Sequence, residues 1–144
     1  MQTALEAVNH VTEKAPALQD KKVKEKCDIG KGIRQGDLYI IRINPTGKTK
    51  IKGLEESVNV DLCTMLCGDQ LAIGTTMGSR HTIKEGQAAF YRDPKNSNPV
   101  FGGVVKADCR WDLEHPEHAH WNMPAGTYGV FYQLDWMTKQ RVRD

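Results

Sequence analysis

The residues with the most chemistry to offer lie together in Leu113-Glu-His-Pro-Glu-His-Ala-His-Trp-Asn-Met-Pro-Ala-Gly-Thr-Tyr-Gly-Val-Phe-Tyr-Gln-Leu-Asp135. Three of the five histidines, His115, His118 and His120, fall in this stretch, and His81 follows the glycine-bracketed Gly74-Thr-Thr-Met-Gly78-Ser-Arg. Zinc-type ions are held by neutral imidazole nitrogens, usually with other donors that the fold brings from separate segments. On an extended strand, residues two apart share a face, so His118 and His120 can point the same way while His115 stands across a turn at Pro116. A metal centre here would use His81, His115 and His118, with His120 as a further candidate, and zinc is the cofactor to expect if one is bound. Glu114 and Glu117 are placed to accept ring N–H groups, and Glu117 is the candidate general base if the centre is catalytic. The same cluster is equally a set of polar residues in a hydrated loop, and its spacing matches no metalloprotease or deaminase signature.

Other chemistries find less support. Ser57, Ser79 and Ser97 lack a nucleophile context, and Ser79, two residues before His81, would merely share a strand face with it. No glycine loop of the phosphate-cradling kind is present. Cys63 and Cys67 are spaced more loosely than the usual zinc pair. Cys63 and Cys109 are expected to be small buried hydrophobes, with the thiols free. Trp111, Trp121 and Trp136, with Tyr128, Phe131 and Tyr132, read as core and interface material, some of it exposed near the C-terminal end.

The elements that must position the histidines are short strands. Leu38-Tyr-Ile-Ile-Arg-Ile43 is β-branched and aromatic, preceded by a Gln35-Gly36-Asp37 turn and ended at Asn44-Pro45. Residues 48–60 are polar and ambiguous, and 61–67 fits a buried strand or a helical turn equally. Strands are expected at 70–73, 87–92, 100–107, 109–113, 121–123 and 127–136, with a hairpin-type turn at Lys84-Glu-Gly86 and an exposed loop at 93–99. This spacing predicts an all-β fold, a small antiparallel barrel or sandwich, preceded by an N-terminal arm. The arm is expected over 1–34, with a short helix permitted by Leu5, Val8 and Val11, and a single β-domain over 35–144. The arm has little to bury and needs a surface to lie on, either this domain or a neighbouring subunit.

Composition narrows the function classes. The chain has 144 residues, 20 basic and 18 acidic, a net charge of +2 and a mean hydropathy of −0.56, which describes one domain with a generous polar surface. Balanced charge gives no reason to expect nucleic-acid binding. The one basic run, Lys21-Lys22-Val-Lys24-Glu-Lys26, has no aromatic residue among its lysines to stack a base and reads as linker. No window is apolar enough for a membrane span or a signal peptide, so the cytoplasm is the expected location, or the virion if a phage encodes the chain.

In their order, Gln35-Gly36-Asp37 with its following strand, Gly74-Thr-Thr-Met-Gly78-Ser-Arg-His81, His115-Pro-Glu-His118 and Pro124-Ala-Gly126-Thr-Tyr128-Gly-Val130 with Gln133 resemble a group of small, mostly uncharacterised β-rich proteins of phages and bacteria. That group reads Gly-x-x-x-Gly-His-x-His, then His-x-x-His, then Pro-x-Gly-x-Tyr-x-Val-x-x-Gln. His81, His115 and His118 match its histidines by position, while Ser79 stands where it often has another, a departure that weakens a metal site. The resemblance covers roughly residues 35 to 135 and implies a phage source. The expectation is a non-enzymatic assembly module, a virion structural protein that decorates or stabilises a capsid, contacting its own copies or capsid subunits through the arm. The alternative is a histidine-rich, zinc-type β-domain acting as a metal-dependent enzyme or small-molecule binder.

Overall fold

Alternation of inward and outward side chains builds the central sheet of the computed structural model, which describes residues 20–23, 27–54, 57–71 and 81–133. The described strands are β1 (Lys21–Lys22), β2 (Gly32–Gln35), β3 (Leu38–Arg42), β4 (Lys48–Thr49), β5 (Val58–Asn59), β6 (Met65–Cys67), β7 (Thr82–Ile83), β8 (Ala89–Arg92), β9 (Phe101–Ala107), β10 (Trp111–Glu114), β11 (Trp121–Met123) and β12 (Gly126–Tyr132). The only helical element among the described residues is a 3-10 turn at Val60–Leu62, capped by the Asn59 side chain. The fold is all-β, as expected.

Six strands form one sheet in the order β2-β3-β12-β9-β8-β6, antiparallel throughout. Four form a second, β1-β11-β10-β7, in which β1 runs parallel to β11 and the other pairs are antiparallel. Leu38, Ile40, Phe90, Val105, Tyr128 and Val130 of the first sheet pack against Ile83, Trp111, Leu113, Trp121 and Met123 of the second, giving the main core. Each large apolar side chain buried there contributes about 1.5–3 kcal/mol. The opposite face of the six-stranded sheet carries Ile43, Phe101, Val104 and Phe131, which Ile51, Val58, Val60 and Cys63 cover. Between the alternatives of barrel and sandwich, the molecule is a sandwich: among the described residues neither sheet closes on itself.

Several local expectations are revised. The polar stretch 48–60 is the cover of the second core, held by the β4–β5 pair. Residues 61–67 are both things at once, the end of the 3-10 turn and then β6. Lys84–Gly86 is not a hairpin, because β7 and β8 belong to different sheets. Cys63 is buried as expected, but Cys109 is exposed. Tyr128, Phe131 and Tyr132 are buried, so the described C-terminal aromatics are core residues and not an exposed patch. The strands expected at 70–73 and 127–136 run partly into undescribed residues.

The arm also differs from expectation at its described end. Lys21 N–H donates to His120 O at 2.7 Å and Val23 N–H to Asn122 O at 3.0 Å, so the first lysines are strand and not linker. The Arg110 guanidinium donates to Val23 O, and Cys27 joins the main core. β2 begins at Gly32 and crosses the expected 34/35 boundary. The permitted helix near Leu5, Val8 and Val11 lies outside the described residues.

Candidate functional site

The β2–β3 hairpin supplies the polar heart of the site. Gln35 and Leu38 pair across a two-residue turn, and Gly36 takes the left-handed conformation, φ +60°, that such turns demand. On β2, Ile33 and Gln35 both point inward, which places an amide on a register otherwise occupied by hydrocarbon. Gln35 and Asp37 are accordingly buried, at 2% and 5% exposure. Gln35 Nε2 donates to Leu113 O at 3.1 Å and to Ala119 O at 3.0 Å, clasping both ends of the histidine loop.

His81, just ahead of β7, is fully buried between the two hairpin side chains. Its Nδ1 lies 2.8 Å from Gln35 Oε1 and its Nε2 3.0 Å from Asp37 Oδ1. The two carbonyls that accept from Gln35 Nε2 fix which end of the amide faces His81, so Nδ1 must be the donor there. Nε2 then meets a carboxyl oxygen. That contact needs one more proton, carried either by the ring as imidazolium beside a carboxylate or by Asp37 as the acid. The pair shares one proton, and burial makes that proton indispensable, since an unpaired polar group in a dry interior is costly.

His115 follows β10 and is also buried. Its Nδ1 accepts the backbone N–H groups of Glu117 at 3.0 Å and His118 at 3.1 Å. The imidazole thus caps the Pro116 turn, and Nε2 carries the proton in the neutral ring. Ring centroids of His81 and His115 are 4.4 Å apart, and those of His115 and His118 again 4.4 Å. Three of the four expected ligands are therefore gathered in a row.

His120 is not part of that row. Its Nε2 is 3.1 Å from His115 O, and its Nδ1 is 3.9 Å from both Asp20 Oδ1 and Glu114 Oε2. It lines a separate cleft of about 310 Å³ on the four-stranded sheet, together with Lys22, Lys84, Asp112 and Asn122. Glu117 is exposed and reaches the cluster through its backbone N–H.

As drawn by these hydrogen bonds, the row is a fastener. Both His81 nitrogens and His115 Nδ1 already serve protein partners, so a zinc ion would have to displace Asp37 or Gln35 from His81 to take it as a ligand. Among the described residues no group of three or more His, Cys, Asp or Glu side chains is disposed to hold a metal ion. Gln35 and Asp37 were missed as site residues from sequence, where they register only as turn formers. The available signal was a glutamine on the inward register of an apolar strand.

A family model described as a domain of unknown function (DUF8820) matches residues 34–133. Neither a search of curated proteins nor one of solved structures found a match. The matched span begins inside β2 and ends one residue beyond β12, so it takes in the Gln35–Asp37 hairpin, His81 and the whole 113–120 loop. The chain belongs to the DUF8820 family.

Proposed function

We propose that this chain is a non-enzymatic binding module that works by assembly and, in the setting its phage-like motifs suggest, a structural component of a virion that decorates or stabilises the capsid. The observation that carries this reading is the use already made of the imidazoles. His81 spends both nitrogens on Gln35 and Asp37, and His115 spends Nδ1 on two backbone N–H groups. Imidazoles so employed hold loops in place. The described end of the arm lends no support, because it lies on its own domain. Mass spectrometry of purified particles from the encoding phage tests the reading directly. The chain should be present at a fixed copy number, and its absence from particles would overturn the proposal.

The second reading, a zinc-type centre on His81, His115 and His118, draws on the 4.4 Å spacing of the three rings. Elemental analysis of the native protein separates the two. The fastener requires no stoichiometric metal and a thermal midpoint indifferent to chelators. One equivalent of zinc, lost on His118→Ala, would instead establish the metal centre.

A further inference from the structure

We infer that the outer edge of β6 is a seam between two copies of this chain, paired antiparallel about a two-fold axis through Leu66; the inference deepens the assembly reading and rests on it. Strand edges expose unpaired N–H and C=O groups, and soluble proteins shield them with charge, proline, brevity or a covering segment. Among the described residues, three of the four edges of the two large sheets carry such protection. β1 is Lys21-Lys22, and β2 bears Arg34. β7 is covered by backbone bonds from Leu71 N–H to His81 O and from Ile83 N–H to Asp69 O. β6 differs: it reads Met-Leu-Cys, without charge or proline, and among the described residues it pairs with β8 alone. Leu66 is 65% exposed, Met65 46% and the nearby Leu62 55%. These three, with Ile29, are the exposed large hydrophobics of the described residues, so the apolar surface is concentrated at this one edge.

A second copy fits this edge on charge as well as on backbone. Antiparallel pairing about Leu66 sets Leu66 against itself, Met65 against Cys67 and Thr64 against Gly68. No charged residue lies within the paired segment 64–68 of either copy, so no like charges meet in it. The contact is isologous, closing as a dimer, and it would merge two six-stranded sheets into one. Its size sets its strength. Three residues and three apolar side chains on each copy fall short of the ~1,200 Å² of a stable interface, which points to a weak, concentration-dependent dimer. A seam that weak closes where copies are held side by side, as on a particle surface.

Sedimentation velocity of the full chain from about 5 to about 500 μM tests this, with a concentration-dependent shift from monomer to dimer expected. Leu66→Lys brings two ammonium groups face to face at the axis and should weaken the dimer about tenfold or more, with the far-ultraviolet spectrum unchanged because the side chain is exposed. Met65→Cys in a Cys109→Ser background should give a disulfide-linked dimer on mild oxidation, abolished by adding Cys67→Ser. A monomer over the whole range, a dimer indifferent to Leu66→Lys, or no cross-link would overturn the seam. A monomer that is nonetheless found in virions sinks the seam and leaves the assembly reading, whereas a β6-linked dimer absent from virions does the reverse.

Discussion

At the scale of single residues, the shared proton between His81 and Asp37 makes two similar substitutions behave differently. Asp37→Asn can donate its amide N–H to a neutral Nε2, keeping both ring nitrogens bonded, and should cost about 1 kcal/mol. Asp37→Ala leaves the buried imidazole without its partner and should cost about 3 kcal/mol or more. Urea unfolding of both variants checks the difference, and equal costs would refute the proton-sharing arrangement. The cysteines form a second ladder. Burial pushes the Cys63 thiol up to about 11 and raises Cys27 as well, while Cys109 is exposed and Cys67 half-buried. Since the thiolate is the nucleophile, a disulfide reagent at pH 8 should modify Cys109 first, Cys67 next, and Cys27 and Cys63 only as the protein unfolds. Mass mapping of the time course reads the order.

At the scale of elements, the contact between β9 and β12 depends on a ring lying over a glycine. A Cβ on Gly102 would fall on the Tyr132 side chain, 2.7 Å from Cε2, and the Tyr132 hydroxyl donates to Leu71 O at 2.7 Å. Gly102→Ala must therefore move the ring and lose that hydrogen bond, at about 1–3 kcal/mol. Tyr132→Phe should cost about 1 kcal/mol alone and almost nothing further once Gly102 is replaced, a coupling that a double-mutant cycle measures.

The same elements divide what the sequence makes legible from what it hides. Strands with dense apolar alternation, such as Leu38–Arg42 and Trp121–Met123, announce themselves because the period of two is written locally. The β4–β5 cover does not, because Ile51, Val58 and Val60 are scattered among polar residues and gain meaning only against Phe101 and Phe131. The site divides likewise. His81, His115 and His118 could be named together from the resemblance to the phage-type motifs, yet their hydrogen bonds could not. These depend on Gln35 and Asp37, which lie 46 and 44 residues from His81 in sequence.

At the scale of the molecule, the sandwich imposes its dryness on groups that would otherwise ionise. Burial pushes the Tyr128 phenol from 10.0 up to about 12, and its hydroxyl donates to Pro124 O at 2.7 Å. With the folded value raised, the stabilisation is complete below pH 10 and is lost as pH rises through about 12, because the unfolded chain releases the proton first. Unfolding free energies measured across that window should fall, and Tyr128→Phe should flatten the decline.

The parallel alliance of Lys21–Lys22 with Trp121–Asn122 has a consequence for order in time. A chain made from its N-terminal end cannot complete its earliest described strand until its eleventh has left the ribosome. The partner of Lys21 is a hundred positions downstream, a separation whose closure entropy delays docking further. The central strand β12 of the main sheet is made later still, so it is the brevity of the two-residue leading strand, at the edge of its sheet, that has it dock late and leave early. Amide hydrogen exchange should register this as earlier deuteration at Lys21 and Val23 than anywhere along β9 or β12.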